Sequence, residues 1–380
     1  MARTNLLTFL AAAVVAAGCG ADDSEPPRHQ AGAAPRPPKT FSVGSTLVGL
    51  QGESAQLAAP PVAPLAGWLT PAGVPSPDGR YLAYNTWREL RPDDPRLSWA
   101  DQGIEPGDRL ATPSIRLYDS KSGSDEILEA GAFSLAWRAD GALAYFRGAE
   151  RDYRAAVSYV GDVVLRANPE AEPEVWSAQQ ARYIVVAWSG ERLVAYREHE
   201  GEVLDVVVFD GPGQMRTLAR GSALVALSPD GERAFIEQGP VAGRPTVRVV
   251  EVATGATVAV LDLTKVDPRV GAVSYAGDWL GRRVVAPSAG GLAVFRVGPR
   301  SISLERTVEV QAPQGVAEPR FADAAGRRVT AWTAEGRGGA FLHCDLETRR
   351  CERLVPLPSA RGTRGFPAWR RPLYNPSRPQ

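Results

Sequence analysis

The chain has 380 residues, 44% apolar and 23% charged, with 43 basic and 43 acidic side chains and no net charge. That is ordinary globular composition and enough chain for a large core. The even balance excludes the basic face that nucleic-acid binding needs, so no nucleic-acid partner is expected.

In chain order, residues 1–18 come first. "MARTNLLTFLAAAVVAAGC" carries one early charge at Arg3, an apolar run from Leu6 to Ala17 and small residues before Cys19. This reads as a secretory signal peptide, too short and wrongly flanked for a spanning helix. The ending "AAGC" resembles the lipobox of bacterial lipoproteins, which implies lipid attachment at Cys19 and a mature N-terminus there. Residues 19–40 are rich in Pro, Ala and charge and cannot bury a core, so they read as a tether. A diacyl anchor is stable by the two-chain argument. The expected location is extracytoplasmic, lipid-anchored to the cell membrane or outer membrane, with the anchor as the membrane contact.

Residues 41–375 are expected to form one domain, followed by a tail over 376–380. "TFSVGSTLVGLQGESAQLAA" at its start reads as a strand pair. At "SPDGRYLAY", Ser76 to Tyr84, Asp78-Gly79 is a hairpin corner entering a strand. The corner returns in "WRADGALAYF", "AWSGERLVAYR", "ALSPDGERAFIE", "WLGRRVVAP" and "DAAGRRVTAW". With Gly79, Gly141, Gly190, Gly231, Gly281 and Gly326 as markers, the gaps are 62, 49, 41, 50 and 45 residues. That period suits four-stranded propeller blades and not helical solenoids. Each unit parses alike. A strand such as "AFSLAW" (Ala132 to Trp137) leads into the corner, and a second strand leaves it. A third follows, such as "SIRLYD" (Ser114 to Asp119) or "EVLDVVVFD" (Glu202 to Asp210). A turn such as "KSG", "GPG" or "ATG" then leads to an outer strand, as in "ATVAVLDL" (Ala256 to Leu263).

The pattern "aW-SPDG-R-x-x-A-(Y/F) … I-R-(L/V)-(Y/V)-D" resembles the TolB-type, WD-repeat-like β-propeller family over roughly Ala72 to Pro358. The resemblance implies an all-β propeller of four-stranded blades. Seven are expected: six clear units, and one closed by the opening strands with "RGFPAWRRPLYNP" near the end. Six blades are the alternative. TolB adds an N-terminal α/β domain and engages other envelope proteins, whereas this chain has only the tether in that place. Propellers serve many activities, so the fold names none.

The longest gap holds an insertion between Trp87 and Pro113, "WRELRPDDPRLSWADQGIEPGDRLATP". Long loops on rigid scaffolds carry function disproportionately. Trp87, Arg88, Arg91, Asp93, Asp94, Arg96, Trp99 and Asp101 are therefore the candidate binding residues. A solvated insertion without a role is the alternative.

Cys344 and Cys351 are symmetric about Glu347-Thr348, so a hairpin turning there sets them opposite each other. Cross-strand Cβ atoms lie roughly 4.5–5.5 Å apart, near disulfide geometry, and in an exported protein a structural disulfide is expected. No G-x-S-x-G elbow, phosphate loop or dinucleotide fingerprint appears. His29, His199 and His343 lack ligand spacing, so no metal and no cofactor are expected. Asp78, Asp140 and Asp230 read as turn residues that accept backbone hydrogen bonds. The expected function is a non-catalytic, protein-binding or scaffold module of the cell envelope, monomeric, with an envelope protein as partner. Alternatives are a small-ligand or glycan receptor and a channel-sited lyase or glycosidase.

Overall fold

The computed structural model describes residues 40–43, 46–49, 54–56, 73–89, 111–148, 160–198, 204–241, 244–267, 270–271, 273, 277–289, 291–310, 316–321, 325–335 and 338–356. Among these, strands β1 (Thr40–Val43), β2 (Thr46–Gly49) and β3 (Ser54–Gln56) form a small antiparallel sheet. Six four-stranded sheets follow. Blade 1 comprises β4 (Gly73–Pro75), β5 (Tyr81–Glu89), β6 (Ala111–Asp119) and β7 (Asp125–Ala130). Blade 2 has β8 (Ala132–Trp137), β9 (Leu143–Gly148), β10 (Gly161–Arg166) and β11 (Glu174–Val175). Blade 3 has β12 (Arg182–Ser189), β13 (Arg192–Glu198), β14 (Leu204–Gly211) and β15 (Gln214–Ala219). Blade 4 has β16 (Ser222–Leu227), β17 (Arg233–Val241), β18 (Arg244–Glu251) and β19 (Thr257–Asp262). Blade 5 has β20 (Asp278–Leu280), β21 (Arg283–Ser288), β22 (Gly291–Val297) and β23 (Ile302–Glu309). Blade 6 has β24 (Val316–Phe321), β25 (Arg328–Glu335), β26 (Gly338–Asp345) and β27 (Arg350–Pro356).

Every blade is an antiparallel meander in sequence order, and the fold is a β-propeller. The first strands of successive blades touch, β4 with β8, β8 with β12, β16 with β20 and β20 with β24. The repeat glycines mark the corners between first and second strands. Gly79, Gly141, Gly190, Gly231, Gly281 and Gly326 all have φ between 56° and 92°, a region that an L side chain enters only under strain.

The corner aspartates do what their turn role requires. In blade 1 Asp78 Oδ1 accepts from the Ser76 hydroxyl (2.5 Å) and from the Arg80 N–H (3.1 Å). The Tyr81 N–H donates to Ser76 Oγ at 2.9 Å. Blade 4 repeats this at Ser228, Asp230, Glu232 and Arg233 (2.5, 3.0 and 2.8 Å). In blade 2 Asp140 accepts from the Ala142 N–H at 3.1 Å.

The near-continuous apolar strands are explained by burial on both faces. Along β14, Val207 and Phe209 pack toward blade 2, while Val206 and Val208 pack toward blade 4. Five such seams join blades 1 to 6 in succession. Seam aromatics include Tyr183 with Phe209 (5.6 Å) and Phe235 with Phe295 (5.2 Å). Polar groups cross the seams as well. The Trp137 indole donates to Val74 O and the Trp188 indole to Ala136 O, at 2.9 and 3.1 Å. Fully buried Ser134 sits at a bulge in β8 with φ 49°. Its N–H donates to Asn85 Oδ1 of blade 1, and its Oγ accepts from the Val185 N–H of blade 3 (both 3.0 Å).

One departure from the sequence reading appears. The opening segment holds three strands instead of a pair, because Ser54–Gln56 pairs with β2 beyond the Gly52 turn signal. The C-terminal stretch expected to complete that sheet lies outside the described residues, as do the signal segment, Cys19 and the tether. Among the described residues no helix is long and apolar enough to cross a membrane.

Candidate functional site

Meander topology gives the propeller two unlike rims. The turn rim carries the glycine corners and the tight turns between third and fourth strands. The loop rim carries the second-to-third connections and the passages from one blade to the next. The long insertion connects β5 to β6, whose described ends, Glu89 and Ala111, lie on the loop rim. Trp87 and Arg88 lie at the rim-ward end of β5, paired with Pro113 and Thr112 of β6. Arg91, Asp93, Asp94, Arg96, Trp99 and Asp101 lie outside the described residues.

Several turn-rim charges pair with one another or with backbone oxygens. Arg80 pairs with Asp119 at 2.8 Å, and that arginine holds the Asp119 carboxyl down at about 2. Asp210 takes both Arg192 and Arg216 at 2.8 Å, and Arg216 also donates to Val252 O of blade 4. Arg138 of blade 2 reaches Glu191 of blade 3 at 3.0 Å and lies over the Trp188 ring. Glu305 collects Arg283 and Arg306, both at 2.7 Å. These two arginines go on to Gly326 O (3.2 Å) and Leu346 O (2.9 Å) of blade 6. Arginine suits this stapling because one planar head can serve a carboxylate and a carbonyl together.

The loop-rim side is less settled. Arg182 and Glu198 pair there at 2.6 Å. Buried polar atoms without a hydrogen-bond partner include Arg197 Nε, Glu237 Oε1, Arg248 Nε and Thr307 Oγ1. Arg197 and Thr307 lie in the rim-ward parts of their strands, Glu237 lies midway along β17, and Arg248 reaches rim-ward to Ser222 Oγ at 3.4 Å. Burial lowers the Arg248 pKa and pushes the Glu237 carboxyl up to about 7. Sequence reading missed Glu237, although its signal was present. In "RAFIE" it shares the strand parity of Phe235, so it points into a seam.

Two tyrosine clusters are structural. Tyr84 donates to Asp125 at 2.7 Å, and Arg116 pairs with the same carboxylate at 2.9 Å. Tyr145 donates to Glu129 of the preceding blade (2.8 Å) while Arg166 donates to the Tyr145 oxygen (2.8 Å). Burial pushes the Tyr145 phenol up to about 12.

Cys344 and Cys351 are register partners on β26 and β27 and form a disulfide with Cα atoms 4.0 Å apart. His343 lies beside it on β26, paired with Thr330, while His29 and His199 lie outside the described residues. Among the described residues no cluster of three or more His, Cys, Asp or Glu could hold a metal.

No family model and no curated protein matches the chain. Among solved structures it matches a putative TolB from Agrobacterium tumefaciens at 14% identity, over 64% of this chain and 88% of that one, with a TM-score of 0.42. A prolyl endopeptidase structure matches at 14% identity over 82% of this chain, with a TM-score of 0.53. This chain spans 46% of that endopeptidase. An oligogalacturonate lyase solved with manganese matches at 13% identity, over 80% and 83% of the two chains, with a TM-score of 0.52. At such identities the likeness is one of fold, and the fold alone assigns no activity.

Proposed function

We propose that the protein is a lipid-anchored, extracytoplasmic β-propeller that binds another protein of the cell envelope through its loop rim, without a catalytic step of its own. The asymmetry of the rims carries this reading. On the turn rim Arg138, Arg216, Arg283 and Arg306 reach the neighbouring blade, whereas the β5–β6 connection joins strand ends on the loop rim and buried polar atoms without partners lie in the seams on that side. Trp87, Arg88, Arg91, Asp93, Asp94, Arg96, Trp99 and Asp101 give that connection the mix of Trp, Arg and carboxylate from which binding hot spots are made. The lipobox-like "AAGC" supports anchoring at Cys19.

The test is a photo-crosslinking amino acid placed in whole cells at Trp99 on the connection or at Lys121 on the turn rim. A discrete envelope-protein adduct from position 99 and none from 121 is expected. Equal labelling from both positions would remove the loop rim from the reading. For the anchor, Cys19→Ser is expected to shift the protein from the membrane to the soluble fraction, and an unchanged distribution refutes it.

A further inference from the structure

The seam between blades 4 and 5 changes character toward the loop rim. Phe235 of β17 meets Phe295 of β22 across it, ring centroids 5.2 Å apart. Side chains alternate faces along a strand, so two residues rim-ward of Phe235 the Glu237 side chain enters the same seam. Two residues rim-ward of Phe295 is Ala293, whose register partners are Ala286 of β21 and Thr307 of β23. Glu237 is thus level with two alanines and a threonine instead of an aromatic pair. On its own sheet it is flanked by Ala223 and Val247. These facing and flanking side chains are all uncharged.

Glu237 is only 2% exposed, and its Oε1 has no partner. Thr307 Oγ1, on the facing blade, is buried and has none either. Buried oxygens are ordinarily satisfied, and each orphan is a free-energy deficit that a donor would remove. Burial alone raises the Glu237 carboxyl, to about 7, so the group is poised between its neutral and charged forms.

We propose that this seam is a binding niche for an alkylammonium group, which donates to Glu237 Oε1 and Thr307 Oγ1 while its apolar stem lies against Ala286 and Ala293. The donor set selects the ligand. Two side-chain oxygens are too few for calcium, which takes six to eight. A guanidinium presents five donors in a fixed plane and would leave most of them unmet, whereas an ammonium is compact and sits on a flexible apolar stem. The source is either a lysine of a protein on the loop rim or a free amine. Binding exchanges the carboxyl proton for the cation: the protonated acid and the ammonium give the carboxylate–ammonium pair and one released proton. Apparent affinity therefore rises about tenfold per pH unit below about pH 7 and levels off above it. The niche does not depend on the rim taking a protein.

The test is calorimetric titration of the full chain with n-butylammonium chloride, in two buffers of different ionisation enthalpy. Tetramethylammonium chloride, which has no N–H donor, is the control. Saturable n-butylammonium binding with proton uptake by the buffer at pH 6 is expected, together with no binding of the control. Glu237→Gln should weaken binding at least tenfold, and Thr307→Val should weaken it several-fold. An equal response to both salts, or unchanged binding in either variant, overturns the proposal. If Glu237→Gln fails to fold, Thr307→Val decides. Competition by n-butylammonium against the Trp99 crosslink identifies a partner lysine as the source. Binding without such competition identifies a free amine.

Discussion

Gly231 and Gly141 occupy equivalent corners but do not carry equal loads. Both have positive φ, 71° and 92°. A Cβ on Gly231 would also stand 2.8 Å from Ser189 Cα, while one on Gly141 meets open space. Gly141→Ala is expected to cost about 1 kcal/mol from the backbone alone. Gly231→Ala should cost about 2 kcal/mol or more, because the corner of blade 3 must also move. Urea unfolding of the two variants checks this, and equal losses would refute the corner-to-corner contact. Glu237 sets a pH dependence of definite sign. Its folded pKa, about 7, lies above the ordinary 4.5, so stability is fully present below about pH 4.5 and falls as pH rises toward 7. The loss is about 3 kcal/mol over that window at 1.36 kcal/mol per unit, in the absence of amine. Glu237→Gln should remove this slope from the melting temperature. A slope that persists in the variant assigns it to other groups.

The four-stranded meander was the most legible level of the molecule. Glycine corners located the second strand of each of the six blades and apolar runs located several of the others, because tight turns have few chemical solutions and strands buried on both faces cannot be mistaken for surface. Strand ends were less legible: β6 starts at Ala111, three residues before the expected Ser114, since pairing continues along the feet of the insertion. Asp78, Asp140 and Asp230 were readable as turn residues, since their partners lie within two residues. That Glu237 and Thr307 lack partners was not readable, because it depends on the facing blade, and the two residues are 70 positions apart in the chain (307 − 237). The Cys344–Cys351 hairpin was readable from symmetry alone. Its closed loop is short, so the paired Cys344→Ala and Cys351→Ala substitution should cost about 2 kcal/mol and leave the rest of the propeller intact. Thermal unfolding of the double variant checks this, and collapse of the whole fold would contradict it.

At the scale of the whole molecule the blades are held by their seams, each apolar core being shared between neighbouring sheets. The described passages from one blade to the next, such as Gly131 between β7 and β8, lie on the loop rim. A chain cut at that point leaves whole meanders on both sides. One cut at Gly141 divides a blade between its first and second strands. Co-expressed fragments split at Gly131 should reassemble, and those split at Gly141 should not, as co-purification would show. The same arrangement gives the protein a natural unit of growth. Duplicating or removing a segment bounded by two loop-rim passages changes the number of modules without cutting through a turn-rim corner. Such an event would alter the loop rim and, on the turn rim, change the partners of only those staples that cross the new junctions, such as Arg138–Glu191 or Arg283–Gly326 O.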